Sequence, residues 1–448
     1  MVEIIIGILM IISFIGMVWY CVKGYNLMVG FFIMATLWTT LAFIGNVLSP
    51  DLYALEFIET VTNIYQAGPA GFASAILVNV FFGSFFGRVL MDTGIAATLI
   101  RKVVELGGDK PRVTMTLLCI VTALCFTSMT GIGPVISIAV IVMPILQALG
   151  IPTALALFAF MGSIMAGIFA NITNFAQYQG ILASLQPEGM LSLEEYYSFS
   201  DYFPFAMVAL VVSLLVTLVF ANVALSRLKT SKVKAWAATP DSTPSDAPWY
   251  SWIAVVLPVL LVVLFEFPII PAFILAALYA LLTCGKLKGG FVNICRMLAK
   301  QFADGAVDVA PLVGFLLVLA MFNAAAALAV PFFEPIVGGL VPTSTVAIAL
   351  LFAVLVPLGF FRGPVNLVGS GGAVAAVVLA ATSWELAFIF PLFAVLTIAP
   401  QHLDITQSWV AWGLGYHKVG SKDFMKFSIP TGWIAGAILC IIALIMFG

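Results

Sequence analysis

The stretches "FFRGPVNL" at 360–367 and "TGIGPVIS" at 130–137 share a Gly-Pro-Val motif, and the first places an arginine directly before it. They belong to a chain of 448 residues, of which 63% are hydrophobic and 8% are charged. Residues 113–187 contain no Asp, Glu, Lys or Arg. Long runs without charge are typical of a multispanning membrane protein that is embedded in the lipid bilayer. The net charge of -2 argues against a nucleic-acid partner.

Apolar runs of about 20 residues, the length that crosses a bilayer, predict eight membrane spans. They lie near 4–22, 27–48, 66–91, 152–180, 203–226, 301–330, 384–410 and 427–447. Residues 251–284 form two shorter runs that we interpret as two more spans. The regions 113–150 and 343–381 each hold two short apolar pieces on either side of the Gly-Pro motif. The sequence therefore predicts an all-α polytopic membrane protein with about ten spans and two re-entrant hairpins.

The two halves of the chain match at an offset of 230 residues, so that Gly133-Pro134-Val135 corresponds to Gly363-Pro364-Val365. Residues 92–112 carry four basic residues, whereas their counterpart 322–342 carries none. Because basic segments favour the cytoplasmic side, these matched segments are predicted to face opposite sides of the membrane. This pattern indicates an inverted-topology repeat. It also predicts that the N-terminus and the C-terminus both lie on the outer side of the cell membrane.

The repeat divides the chain into five predicted parts. They are 1–50 with two N-terminal scaffold spans, 51–226 as the first inverted repeat with its hairpin at 113–150, 227–250 as a cytoplasmic linker, 251–290 with two linking spans, and 291–448 as the second inverted repeat with its hairpin at 343–381. The linker is rich in Ser, Thr, Pro and Asp, a composition typical of a loop without a fold of its own.

The tips of both hairpins are predicted to line one central site, because non-helical backbone at membrane depth needs protein or a water-filled cavity around it. Pro134 and Pro364 suit the first turn of a returning half-helix, where no backbone N–H is required. Gly133 and Gly363 allow a tight turn and a close approach of a ligand to the backbone. Both glycines are therefore candidate substrate-binding positions.

Arg362 is the candidate anion-binding residue. Its guanidinium group is always charged and offers five donors in a fork that suits a carboxylate. An arginine buried near the bilayer centre costs free energy unless a partner compensates its charge. Arginines at such positions therefore commonly have a functional role. The alternative is a structural ion pair with an acid such as Asp404 or Glu385.

Polar residues interrupt one apolar span in each half, at 169–177 and at 399–407. Two discontinuous helices that face two hairpin tips would direct half-helix ends at a ligand. The polar side chains that we expect to contact the substrate are Asn171, Thr173, Asn174, Gln407 and Asn366. The alternative is that such side chains only hold neighbouring spans together.

His402 and Asp404 are an imidazole and a carboxylate at membrane depth, and residues of this kind commonly form proton relays. We therefore predict that they carry the coupling ion, H+ in preference to Na+. The alternative is a hydrogen-bonded core histidine.

Two further acid–base patterns occur on predicted helices. Arg88 and Asp92 are four residues apart, a spacing that predicts an ion pair on one helix face. Asp304 and Asp308 repeat that spacing near the start of a span, where we expect a solvated helix end. The six cysteines lack the spacing of a metal site, and no metal or cofactor is predicted.

The stretches "FFGSFFGRVLMDTGIAATLIRKVVELGGDKPRVTMTLL" at 81–118 and "QHLDITQSWVAWGLGY" at 401–416 resemble the gluconate permease family of the ion transporter superfamily. The resemblance extends from about residue 66 to residue 447. It implies a transporter rather than an enzyme, a homodimer, and a substrate such as gluconate or another hydroxy- or carboxylic acid.

Two functions remain open from the residues, with a third as a remote alternative. The first is ion-coupled symport of a small organic anion by alternating access, with Arg362 as the anion-binding group. The second is cation/proton antiport within the same superfamily, with Asp404 and Asn174 as the residues that bind the ion. The remote alternative is an intramembrane enzyme or a channel. We favour the symporter, because few acidic residues lie at membrane depth.

Overall fold

The computed structural model describes residues 2–23, 25–49, 55–185, 197–227, 246–337, 339, 341–382 and 384–448. Nineteen α-helices and no strand occur in these ranges. In chain order they are α1 Val2–Val22, α2 Leu27–Leu48, α3 Phe57–Thr62, α4 Gly68–Phe72, α5 Val78–Asp92, α6 Ile95–Gly107, α7 Pro111–Phe126, α8 Ile132–Ala148, α9 Thr153–Phe169, α10 Ile172–Ser184, α11 Phe199–Arg227, α12 Leu257–Phe265, α13 Ile269–Thr283, α14 Phe291–Val337, α15 Thr345–Leu355, α16 Gly372–Ala381, α17 Leu386–Gln401, α18 Ser408–Tyr416 and α19 Ser421–Phe447. The all-α prediction is confirmed. Residues 228–245 of the predicted linker lie outside the described residues.

Six helices in the described ranges are long and apolar enough to cross a membrane, and the number rises to eight if each bent pair is one span. The bent pairs are α5 with α6, at 55°, and α9 with α10, at 65°. Other predicted spans consist of shorter apolar helices, among them α13 and α17. The protein is therefore a multi-pass membrane protein, as its composition predicted.

α14 is the central helix of the fold. Its 47 residues correspond to about 70 Å of helix at 1.5 Å per residue, more than twice the thickness of the hydrocarbon layer. It contacts α2, α5 and α16 along its length. Pro311, Pro331 and Pro335 lie inside it, which neighbouring helices make tolerable at membrane depth.

The region of the first predicted hairpin consists of two helices, α7 and α8, joined by residues 127–131. α7 ends at Phe126 and α8 begins at Ile132, so Gly133 and Pro134 lie in the first turn of the returning helix. Gly131 has a φ of 99°, in the region that favours glycine, and this allows the sharp reversal. α8 then packs against α9, which begins the broken span.

The second hairpin differs from the prediction at its tip. α15 ends at Leu355, a 3-10 segment covers Val356–Arg362, and the returning helix α16 begins only at Gly372. Pro364 therefore lies in an irregular segment and not in the first turn of a helix. Asn366 holds this segment, because its Nδ2 donates to the Gly359 carbonyl at 3.0 Å and its Oδ1 accepts from the Val368 N–H at 2.9 Å.

The order of elements repeats in the two halves. α7 and α8 form a hairpin, α9 and α10 a broken span, and α11 a long helix. α15 and α16, α17 and α18, and α19 follow the same order. The breaks between α9 and α10 and between α17 and α18 fall inside the predicted interruptions at 169–177 and 399–407. Both breaks lie beside the hairpin tips, and this arrangement creates the candidate site.

Candidate functional site

A polar cavity of about 380 Å³ lies between the two hairpins, the two broken spans and α14. Apolar side chains such as Phe126, Ile168 and Phe315 form part of its wall. Its polar lining residues are Asn26, Thr130, Asn174, Gln177, Asp308, Arg362, Gln401, Thr406, Gln407 and Ser408. A second cavity of about 390 Å³ is lined by apolar residues alone, including Trp38 and Pro364. Convergent polar groups make the first cavity the candidate substrate site.

Arg362 lies in the wall of the polar cavity and is 6% exposed. Its Nη1 donates to the Val368 carbonyl at 3.1 Å, and its Nη2 donates to Gln407 Oε1. Its Nε has no hydrogen-bond partner among the described residues. Within the same part of the chain, no carboxylate forms a salt bridge with the guanidinium group. Neither Asp404 nor Glu385 therefore forms a salt bridge with Arg362, although Asp404 lies close enough to act electrostatically on it.

The backbone at Arg362 is strained. Phe361 and Arg362 have φ values of 57° and 55°, in the left-handed region that residues with a side chain seldom adopt. Three hydrogen bonds hold the conformation: Ser370 N–H and Oγ donate to the Arg362 carbonyl, and the Arg362 N–H donates to Asp404 Oδ2 at 3.3 Å. Strain of this kind persists only where surrounding contacts fix it, and it is common at binding sites. Here the same hydrogen bonds hold the backbone that positions the guanidinium group.

Three helices begin at the cavity. Gly131 and Ile132 start α8, Asn174 lies in the first turn of α10, and Ser408 is the first residue of α18. The first N–H groups of a helix have no partner within the helix, and the aligned peptide dipoles leave partial positive charge there. Together with Arg362 they place positive groups at the cavity, beside the Asp308 carboxylate, and such groups could bind an anion.

Asn171, predicted as a substrate contact, is the N-cap of α10 and has partners within the protein. Its Nδ2 donates to the carbonyls of Phe126 and Met129 at 2.9 and 3.1 Å, and its Oδ1 accepts from the Asn174 N–H at 3.1 Å. It therefore joins the tip of the first hairpin to the broken span. Thr173 is also buried outside the cavity lining, close to Gly83.

The predicted coupling residues do not line the cavity either. Asp404 Oδ1 accepts from the Thr406 N–H at 2.9 Å, and its Oδ2 accepts from Thr406 Oγ1 at 2.7 Å, in addition to the Arg362 N–H. The His402 ring stacks on Trp409, with centroids 5.3 Å apart and planes inclined by 10°. Neither His402 nitrogen has a hydrogen-bond partner in the described part of the chain.

The cavity thus brings together three of the predicted substrate residues, Arg362, Asn174 and Gln407. The other three predicted residues, Gly133, Gly363 and Asn366, do not line the cavity and pack behind its walls. A Cβ at Gly133 would overlap the Asp308 carboxylate, and one at Gly363 would overlap the Leu358 carbonyl. The close approach at these glycines is therefore to protein and not to the cavity.

Two expectations about charged residues were wrong. Arg88 does not pair with Asp92: its Nε and Nη2 donate to the two carboxylate oxygens of Asp308, each at 2.6 Å. Asp92 instead accepts from Gln301 Nε2 at 3.1 Å. Asp308 is 9% exposed and lines the cavity, so it is not a solvated helix end. The packing of α5 against α14 forms contacts that local spacing could not indicate.

Sequence reasoning also missed Gln177 and Gln401 as lining residues. A signal existed for both, since the 230-residue offset matches Gln177 with Gln407 and Asn171 with Gln401. Thr130, Thr406 and Ser408 had no such signal. They are short polar side chains next to the irregular tips, and only the fold shows that they face the cavity.

Comparisons with known proteins agree with this architecture. The crystal structure of the YdaH transporter from Alcanivorax borkumensis, described as having an unusual topology, matches with a TM-score of 0.62 and 11% sequence identity. The match covers 93% of this chain and 98% of that one, and at this identity it supports the fold alone. Among proteins of curated function, none matches significantly.

A family model described as "Citrate transporter" matches residues 28–294, more than half of the chain. The predicted membership of a transporter family is thus confirmed, whereas the specific resemblance to gluconate permeases is not. The family and the similar structure are transporters and not enzymes. The chain belongs to the CitMHS citrate transporter family.

Proposed function

We propose that the protein is a secondary active transporter that carries a small organic anion across the cell membrane by ion-coupled symport. The observation that carries this proposal is Arg362, a buried cation in the wall of the polar cavity whose guanidinium group forms no salt bridge with a carboxylate in the described residues. A buried charge of this kind is costly, and a substrate carboxylate would compensate it.

The anion would bind between the two hairpin tips. One carboxylate would accept from Arg362, and others would lie at the starts of α8, α10 and α18. Asn174, Gln177 and Gln407 would donate to further oxygens or accept from a hydroxyl. A hydroxy acid with several carboxylates suits this distribution of donors, so citrate is the first substrate to test, with gluconate as the predicted alternative.

Movement of the hairpins against a fixed scaffold would open the cavity to each side in turn. The coupling ion would be H+ in preference to Na+. His402 and Asp404 remain the predicted carriers of that ion, although both lie outside the cavity lining. A homodimer remains an expectation from the family resemblance, and sedimentation of the detergent-solubilised protein would test it.

The decisive experiment is uptake of labelled citrate, gluconate or lactate into proteoliposomes under an imposed pH gradient or an imposed sodium gradient. Wild type is compared with Arg362→Gln and with Arg112→Gln, a matched change at an exposed arginine. We expect Arg362→Gln to weaken anion binding about 100-fold, the effect of losing one buried charge-assisted contact of about 3 kcal/mol. Arg112→Gln should transport as wild type does.

Loss of uptake in Arg362→Gln but not in Arg112→Gln would support the symporter. The gradient that drives wild-type uptake, either the pH gradient or the sodium gradient, would identify the coupling ion. Cation-driven proton movement without uptake of any anion would overturn it and favour the antiporter. That result would be strengthened if the movement survived Arg362→Gln and disappeared in Asp404→Asn.

A further inference from the structure

The apolar cavity of about 390 Å³ lies between α1, α2, α14, α15 and α16 and reaches the tip of the second hairpin. Its described lining side chains are apolar apart from the indole N–H of Trp38. That N–H already donates to Ser13 Oγ at 2.9 Å, and Ser13 does not line the cavity. An ordered water needs about two to four polar partners, and the side chains of this cavity do not supply them.

The cavity opens on a surface that faces the lipid. Leu351 and Leu358 line it and are 38% and 47% exposed. Ile11 of α1 also lines it, and the nearby Ile12 and Ile15 are exposed on the same helix. α1 and the segment that contains α15 are both long and apolar enough to cross the membrane. The surface around the opening is therefore one that the hydrocarbon chains of the bilayer cover.

The charge pattern around the cavity indicates an uncharged occupant. Residues 2–22, 27–48, 322–361 and 372–381, which supply most of its wall, contain no Lys or Arg. The guanidinium group of Arg362 lies in the wall of the polar cavity instead. A free fatty acid that entered this cavity would bring a carboxylate without a cation to compensate it. A phospholipid avoids this cost, because its headgroup stays at the membrane surface and only its chain enters.

We propose that the apolar cavity binds an acyl chain of a bilayer phospholipid. A dry apolar cavity of less than half this size, about 150 Å³, takes up a hydrocarbon as large as benzene. A chain in the cavity would replace empty space by close contacts with side chains such as Trp38 and Phe352. This binding site is independent of the proposed transport function.

The chain would contact the segment that carries Arg362. Pro364 and Val365 line the apolar cavity, whereas Arg362, two residues before Pro364, lines the polar cavity. The tip of the second hairpin therefore lies between the two cavities. An acyl chain would support this irregular segment on the side opposite to the candidate substrate site.

Trp38 provides the test, because its side chain is fully buried and lipid outside the cavity does not contact it. The protein is reconstituted in phosphatidylcholine whose acyl chains either carry bromine, which quenches indole fluorescence at close contact, or do not. The chain contains nine tryptophans, so the Trp38 emission is the difference between wild type and Trp38→Phe. We expect brominated lipid to remove most of this difference. The exposed Trp19 and Trp433 should be quenched in both proteins, which confirms that the lipid reaches the protein.

Val374→Phe fills the cavity from α16 and should protect Trp38 from brominated lipid. Val219→Phe is the matched control, the same substitution at an exposed position of α11, and should leave the quenching as in wild type. Ala373→Phe is a second filling variant, and the folded state of each is checked by size-exclusion chromatography. Added phospholipid should also raise the unfolding temperature of wild type by more than that of Val374→Phe. These comparisons do not require a folded Trp38→Phe variant.

Trp38 emission that brominated lipid leaves unchanged, with the exposed tryptophans quenched, would overturn the proposal. The cavity would then be empty or filled by a second copy of the chain. Quenching of Trp38 by acrylamide from the water phase, but not by brominated lipid, would overturn it in favour of a hydrated cavity. Quenching by brominated lipid that persists in both filling variants would also contradict it, because the bromine would then reach Trp38 by another route.

Discussion

At the scale of single residues, the site depends on polar groups whose partners are fixed by packing. Arg362 keeps an unpaired Nε because Asp404 accepts from its backbone N–H and not from its guanidinium group. Asn171 has the same side chain as Asn174, but its Nδ2 donates to two backbone carbonyls of the first hairpin. Residue type predicted which side chains could bind a substrate, and position decided which of them face the cavity.

Gly133→Ala tests the contact between the first hairpin and Asp308. The new methyl group would overlap a carboxylate that two hydrogen bonds from Arg88 hold in place, so the pair or the hairpin must shift. Overpacking of this kind costs about 1–3 kcal/mol. We expect a lower unfolding temperature in detergent and weaker citrate binding.

The control for this substitution is Gly71→Ala, at another helical glycine, where an added Cβ meets no atom within 4 Å. It should leave the unfolding temperature unchanged or slightly raised, because alanine favours helices. An equal loss of stability in both variants would show that helix propensity, and not contact with Asp308, sets the effect.

At the scale of elements, the second hairpin is an irregular segment fixed by neighbouring helices. Residues 363–371 form no regular helix, so their backbone groups need other partners. Asn366 supplies two, and Thr397 on α17 supplies a third by accepting from the Leu367 N–H at 3.0 Å. The tip of the second hairpin is therefore attached to the broken span formed by α17 and α18.

Thr397→Val removes that acceptor with little change in shape. It leaves the buried Leu367 N–H without a partner, which costs about 1–3 kcal/mol. Thr431→Val is the control, because the buried Thr431 hydroxyl has no hydrogen-bond partner in the described ranges. We expect Thr397→Val to lower the temperature of thermal unfolding and Thr431→Val to leave it unchanged or raise it. The reverse order would refute this role of Thr397.

At the scale of the whole molecule, the apolar surface and the charge pattern predict how the chain lies in the membrane. Large apolar side chains on α1, α2 and α11 are exposed in the monomer, as expected of surfaces that face lipid. The basic residues near the start of α14 predict that this end is cytoplasmic, in the same orientation that places both termini outside.

Cysteine labelling checks this orientation without introducing a new residue. Cys295 is exposed near the start of α14, Cys284 is half-buried and the other four cysteines are buried. A membrane-impermeant maleimide should label wild type in inside-out vesicles and fail to label it in intact cells. Cys295→Ser should abolish the signal, and labelling in intact cells would reverse the predicted topology.

The sequence by itself determined the class of the protein and most of its helices, and it singled out two Gly-Pro-Val segments and a buried arginine, Arg362. These follow from local properties: the length of apolar runs, the backbone preferences of Gly and Pro, and the cost of a charge in lipid. The same reasoning placed the breaks in the two discontinuous spans, because polar residues interrupt the apolar pattern there.

Only the tertiary structure decided which polar groups meet. Arg88 prefers Asp308, 220 residues away, over Asp92 on its own helix, because the packing of α5 on α14 brings both carboxylate oxygens within 2.6 Å of the guanidinium group. Pro364 lies outside a helix because Asn366 and Thr397 stabilise an irregular segment there. Such contacts depend on how distant segments pack against one another, and no local pattern in the sequence specifies that arrangement.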